Sequence, residues 1–423
     1  MYDWTRSKRL SIDVGIKMSI FLGRNKEIKM SKLPTASRFK YTNGTPNQPA
    51  DTIFGCSVGT TSQDSNVLQA NHSFIAFPAK VSGSVCVIPL NSKGTISDES
   101  PLLLHDDQVN EIAFSPFRDE NVVVTACQDG TARVWNIPTD GLDGSTSNPT
   151  ASLVGSGKRL LSAGWHPLAK NVVTTVGIDE VRVWDALSGT SLFTLPTVHK
   201  GLVTSLSWSD GGDRIITSCK DKMLRIFDPR SNTMIAQVQD CEGVKSAKSL
   251  WVGRTPLIST YGFTKSMDRE IGIWDSRAMN TRIQTTKLDI SPASPMPFID
   301  NDTNVVYLGG KGEASIKIIE INQSNAQPCQ VLGEWKHNVP AAGMAILPKY
   351  LCDVMKVEVA KILKLSPTGQ IIPIRFEIPR VNTQFFQDEL YPDSWDGVST
   401  MDALSWAEGT NQPGNLKSLN PSA

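Results

Sequence analysis

"DKMLRIFDPR", Asp221 to Arg230, alternates apolar and polar residues like a strand, yet it is studded with charge. An Asp opens it six residues before an aromatic, and a second Asp follows that aromatic. Three other stretches share the form: "DGTARVWN" (129–136), "DEVRVWD" (179–185) and "DREIGIWD" (268–275). Their opening acids are Asp129, Asp179 and Asp268. The aromatics Trp135, Trp184, Phe227 and Trp274 follow one another at 49, 43 and 47 residues.

That period is the length of a four-stranded blade of a WD-repeat propeller. The other parts of a blade recur with it. "VNEIAFSP" (109–116), "LLSAGWHP" (160–167) and "VTSLSWSD" (203–210) each read as an inner strand ending at a turn. "NVVVTAC" (121–127), "NVVTTVG" (171–177) and "DRIITSC" (213–219) read as second strands. The Asp-bearing tight turn comes next, where Asp and Gly tolerate the turn backbone. His105 and His199 stand 30 and 28 residues before Trp135 and Phe227. There WD repeats place a His that reaches the turn Asp through a hydroxyl residue. A relay that satisfies buried polar groups explains these histidines better than catalysis does. Asp129, Asp179 and Asp221 are expected to cap turns, and Asp268 to take the same place in the fourth copy.

Strand patterning extends the ring. "FIAFPAK…GSVCVIPL" (74–90) reads as a first, degenerate blade, 296–321 as three strands with a Gly-rich hairpin, and 341–380 as a last blade. The sequence predicts an all-β, seven-bladed WD40-type β-propeller over 32–380. A strand near "SRFKYT" (37–42) is expected to complete the last blade and remove the open edges. Residues 1–31 form a basic leader. Residues 381–423 hold six Asp/Glu against one Lys, and five aromatics fall between Phe385 and Trp406. A disordered tail seldom carries so many aromatics. The segment is expected to dock on the ring through Phe385, Phe386 and Tyr391, fraying after about Gly409.

Composition narrows the function. The 42 Lys/Arg balance the 42 Asp/Glu, so global steering toward nucleic acid or membrane is not indicated. The seven scattered cysteines form no C-x-x-C pair, which speaks against a disulfide framework or a zinc site. No apolar run reaches transmembrane length. "GSGKR" (155–159) is not a phosphate loop, because Ser152 and Arg159 stand where Gly and Ser/Thr are required. No cofactor motif and no RNA-recognition signature appear. The basic residues Lys220, Lys222, Arg225 and Arg230 exceed what a blade needs. With Lys265 and Arg269 of the next copy they are read as a basic rim patch for an acidic partner.

Beyond the repeat, several phrases resemble the coronins: "TSCKDKMLRIFDPR" (217–230), "STYGFTKSMDREIGIWDSR" (259–277), "LDISPASPMPFIDNDTNVVYLGGKGEASIKIIEI" (288–321), "LPKYLCDVMKVEVAKILKLS" (347–366) and "IPRVNTQFFQDELYPD" (378–393). The resemblance covers about residues 32–409. It implies a seven-bladed propeller with an extension on the ring, and a non-enzymatic scaffold that binds actin filaments. It also implies a cytoplasmic place at the cytoskeleton or cell cortex, or on Golgi or vesicle membranes. The chain departs from the short coronins in showing no coiled-coil heptads. "NLKSLNPSA" looks like the end of one unit of a tandem-propeller coronin. "TIFGCSVGTT" (52–61) lacks the basic residue that short coronins carry there for actin. The alternative is an adaptor propeller for trafficking or ubiquitin-ligase partners, without actin.

Overall fold

A computed structural model describes residues 36–59, 64–97 and 99–422. The basic leader read at 1–31 lies outside them. Seven sheets follow one another along the chain. Blade 1 comprises Gln69–Ala70, Phe74–Pro78, Ser84–Pro89 and Leu102–Leu104. Blade 2 comprises Val109–Phe114, Val122–Cys127, Thr131–Asn136 and Ala151–Val154. Blade 3 comprises Leu160–Trp165, Val172–Gly177, Val181–Asp185 and Thr190–Thr194. Blade 4 comprises Val203–Trp208, Ile215–Cys219, Met223–Asp228 and Thr233–Gln239. Blade 5 comprises Lys248–Trp251, Leu257–Phe263, Arg269–Asp275 and Gln284–Asp289. Blade 6 comprises Pro295–Asp300, Val305–Gly310, Ser315–Ile321 and Cys329–Lys336, and blade 7 begins with Gly343–Ile346, Glu358–Leu365 and Ile371–Glu377. The first strand of each blade lies against the first strand of the next, from blade 1 around to blade 7 and back. The ring is closed.

Trp135, Trp184, Phe227 and Trp274 sit in the third strands of blades 2 to 5. Second strands such as Val172–Gly177 and Ile215–Cys219 are buried along their whole length. Neighbouring blades cover both of their faces, which is why they read as continuous β-branched runs rather than alternating ones.

Closure uses a different strand from the one expected. Residues 37–42 form a turn, held by Thr42 Oγ1 donating to Phe39 O at 2.7 Å. Asn43–Pro46 then pairs antiparallel with Ile374–Glu377 as the outer strand of blade 7. The alternation in "SRFKYT" misleads because Phe39 is buried from a turn while Tyr41 stays exposed. Gly44 passes the Trp335 indole so closely that a Cβ there would sit 2.9 Å from it.

In an antiparallel meander, the second-to-third-strand turns share one face with the connections between blades. We term this the turn face. The first-to-second-strand connections form the base. The segment after Arg380 runs across the base. Tyr391 Oη donates to Glu358 O at 3.0 Å on blade 7, and Ser394 Oγ donates to Asp302 of blade 6. Arg254 of blade 5 donates to Asp393 O at 3.4 Å, and the Arg118 N–H of blade 2 to Gly397 O at 2.8 Å. The Lys170 N–H of blade 3 donates to Met401 O at 2.9 Å. A short helix, Ala403–Ala407, N-capped by Asp402, seats Trp406 between blades 3 and 4. The expected aromatics divide: Tyr391 is buried, Phe386 is partly buried, and Phe385 is exposed. Beyond Gly409, where fraying is expected, the chain is described to residue 422. Leu416–Lys417 folds back to pair with Ser394–Trp395, and Ser394, Trp395 and Leu416 line a cavity of about 500 Å³ at the base.

Candidate functional site: the turn face of blades 3 to 5

Directional relays tie the blades together beneath the turn face. In blade 2, His105 Nδ1 lies 3.1 Å from Gly83 O, an acceptor, so Nδ1 carries the proton. Nε2 then accepts from Thr125 Oγ1 at 2.7 Å, and Thr125 accepts from Trp135 Nε1 at 3.0 Å. Blade 4 repeats the first half, with His199 Nε2 2.9 Å from Thr217 Oγ1, but Phe227 has no N–H to donate. Blade 3 keeps only Trp184 donating to Thr175 at 2.8 Å. In blade 5 a carboxylate takes the histidine's place. Asp240 Oδ1 accepts from Trp274 Nε1 at 3.1 Å and from Thr260 Oγ1 at 2.9 Å. No spacing rule singled out Asp240, because a search for His passes over it.

Two of the turn acids, Asp129 and Asp221, bind neighbouring arginines rather than the histidines. Asp129 accepts from the Thr131 N–H and pairs with Arg133 at 3.0 Å. Asp221 accepts from the Lys200 and Met223 N–H groups, each at 3.0 Å. It also holds Arg225 bidentately at 3.1 and 2.7 Å. Burial pushes the Asp221 carboxyl up, but these hydrogen bonds, Arg225 first, outweigh it and hold it well below the usual range. Asp179 differs. Its turn is one residue shorter, so it stands exposed at the tip with Lys158 at 2.8 Å, and Glu180 takes the arginine, Arg182. Asp268 accepts from Ser266 Oγ at 2.9 Å. In blade 5 Gly272 occupies the place of that arginine, two residues before the aromatic. A Cβ there would meet Arg282 Nε at 2.9 Å; Arg282 fills the space and pairs with Asp240 and Glu270.

These pairings redraw the basic patch. Arg225 does not belong to it: its side chain is 3% exposed, because both faces of a third strand pack against neighbouring blades. Arg269 is 4% exposed and is divided between Asp289 and Glu313. Arg230 lies on the opposite end of the molecule. Its guanidinium sits over the Trp406 ring at 5.6 Å and donates to Trp406 O and Thr410 O. Lys220, Lys222 and Lys265 remain, all exposed on the turn face. Lys220 is 4.0 Å from Asp64, and Lys222 donates to a carbonyl, Glu242 O, at 2.7 Å. The sequence reading missed Arg159 and Lys200, exposed on the inter-blade connections of the same face. Arg159, Lys200 and Lys265 have no carboxylate within ion-pair distance among the described residues. Lys220 and Arg159 also line a channel mouth of about 590 Å³ with Glu111 and Lys248. The arrangement can attract an acidic surface; nothing in it resembles a nucleophile poised on a base.

The relays make a pH prediction. Burial lowers His105 and His199 to about 4, and it lowers His166, which packs on Trp406 outside the relays with Nε2 at 2.8 Å from Gly212 O, to about 3, so all three are neutral at pH 7. Between the folded pKa near 4 and the unfolded value of 6.5, the unfolded chain binds more protons. Stability is therefore full above 6.5 and falls as pH drops toward 4, by about 1.4 kcal/mol per histidine per pH unit. Glu111 opposes one of them, since burial raises it to about 7 despite Lys248. A net fall is expected in urea unfolding between pH 6.5 and 4.5. His199→Gln should make that pH dependence shallower; an unchanged slope would refute the assignment.

Comparisons place these features among known proteins. A family model described as a domain of unknown function, DUF1899, matches residues 32–95. A type of WD40 repeat matches 371–414, and the WD domain, G-beta repeat, matches 101–136 and 189–228. The chain is 33% identical to Coronin-A of Dictyostelium discoideum, over 92% of this chain and 87% of that protein. It is 32% identical to Coronin-7 of Bos taurus over 91% of this chain but 42% of the relative, so it spans less than half of that longer protein. The crystal structure of the WD40 domain from Toxoplasma gondii coronin superposes with a TM-score of 0.84 at 27% identity, covering 90% of this chain and 98% of that one.

Proposed function

The chain belongs to the coronin family, and from that premise we propose that it is an actin-filament-binding scaffold. Its role would be to link filaments to cell-cortex organisation or vesicle traffic, in the cytoplasm and at the surfaces of those structures. The observation that carries this reading is the cluster of cations on the turn face of blades 3 to 5. Among the described residues Arg159, Lys200 and Lys265 have no carboxylate partner, and Lys220 and Lys222 are engaged only weakly or by a carbonyl. Filaments are acidic, and a rim of cations favours their approach in a salt-sensitive way. The same patch supplies what "TIFGCSVGTT" lacks. Of that stretch, Ile53–Phe54 pairs with Ile371 and carries no charge.

Cosedimentation with actin filaments is the test. The chain is expected to pellet at low salt and to be released as salt rises. Changing Lys200, Lys220, Lys222 and Lys265 together to Glu should weaken pelleting at least tenfold. All four side chains are exposed, so the melting temperature should hold. If the unmodified chain stays in the supernatant at low salt, the adaptor reading replaces this one.

A further inference from the structure

Two apolar side chains stand out from the turn face within the cationic arc. Ile290 is 84% exposed and Val244 77%; among the described residues only Val381 is a more exposed large apolar side chain. Ordered loops present them. The Gly243 N–H donates to Phe263 O at 2.8 Å, and a Cβ on Gly243 would meet that oxygen at 2.7 Å. Lys245 Nζ donates to Pro292 O, which ties the Val244 loop to the Ile290 loop. The Ser291 N–H donates to Asp289, itself clamped by Arg269. Ser246 and Ser294 both donate to Asp64, at 2.8 and 3.3 Å. The exposure of Val244 and Ile290 is thus set by the fold.

Cations surround them. Lys245 adjoins Val244 in the chain. Lys222 reaches Glu242 O two residues away, and Lys265 follows Phe263 by two residues. We infer that Val244 and Ile290 are apolar anchors of this face, and that its occupant is an acidic protein segment with apolar side chains between its carboxylates. This rests on the filament reading in using the same face. Charge complementarity selects the acidic component and the two side chains select the apolar one. Glu242, exposed beside the lysines, argues for a protein segment over an anionic lipid surface. A segment can place its carboxylates away from Glu242, whereas a continuous sheet of anionic headgroups cannot.

The test compares Val244→Ser with Ile290→Ser, as a double variant, against the unmodified chain. With filaments, the dissociation constant should rise about tenfold, equivalent to about 1.4 kcal/mol. The rise should be similar at about 50 mM and about 200 mM salt, because the lost contact is not ionic. If the double variant pellets like the unmodified chain, the inference falls and the filament reading stands. If the unmodified chain does not pellet, the filament reading falls, and the anchors are tested with a fluorescein-labelled peptide of alternating Glu and Leu. Tighter anisotropy binding than a Glu–Ser peptide, lost in the double variant, supports the inference; equal binding of the two peptides overturns it. Binding to vesicles of about 30% phosphatidylserine that the double variant loses would assign the anchors to lipid and overturn the protein occupant.

Discussion

Trp406→Ala should destabilise the chain by about 3–5 kcal/mol, the usual range for emptying a buried tryptophan site. Trp406 is fully buried, in contact with the cluster that joins blades 3 and 4. Its ring meets those of His166, Trp208 and Phe193 at 5.0, 5.6 and 5.8 Å. Its Nε1 donates to Gly212 O at 3.1 Å, the oxygen that also accepts from His166 Nε2 at 2.8 Å. Removing the indole leaves a cavity, halves the donors to that oxygen and takes the ring from under Arg230. The helix that carries Trp406 is only five residues long, so tertiary packing rather than helix propensity holds it in place. Limited proteolysis should then cut the extension in the altered chain while the ring persists. Leu404→Ala, on the exposed side of the same helix, should change stability by less than about 0.5 kcal/mol. A Trp406→Ala chain with unaltered urea midpoint and protease resistance would show that the extension is not anchored there.

Asp221→Ala is the second large effect, about 3–5 kcal/mol, because it breaks one partner of a buried ion pair. Arg225 is 3% exposed, and Asp221 provides both of the acceptors that its terminal nitrogens use. Its Nε already lacks a partner, so the substitution would leave a buried guanidinium with no acceptor at all. The Lys200 and Met223 N–H groups would also lose their acceptor. Asp179→Ala serves as the contrast. That acid is exposed and its pair with Lys158 is a surface one, so the change should be within about 1 kcal/mol. Asp221→Ala combined with Arg225→Met should recover much of the loss, since two apolar groups replace the pair. A loss below about 1 kcal/mol for Asp221→Ala alone would show that Arg225 finds water or another acceptor.

The sequence by itself determined the repeat. The Asp-to-aromatic spacing, the tight turns and the β-branched second strands are local properties, and they place Trp135, Trp184, Phe227 and Trp274 in equivalent strands without knowledge of their surroundings. The shorter spacing at Asp179 was legible too, and it is what leaves that acid at the tip. Tertiary structure alone decided which cations remain available. Alternation assigns Arg225 and Arg269 to a side of a strand, but in a blade both sides are covered by other blades. The carboxylates that neutralise Arg269 lie 20 and 44 residues away, and those that meet Arg282 lie 12 and 42 away. Arg230 is five residues beyond Arg225, yet it emerges at the other end of the strand, over an indole supplied 176 residues later. Trp406 and the closing strand Asn43–Pro46 show the same limit: their partners are distant in the chain, and only the closed ring brings them into contact. Pairing across such distances depends on how blades are rotated against one another, and a period of two along a strand carries no information about that rotation.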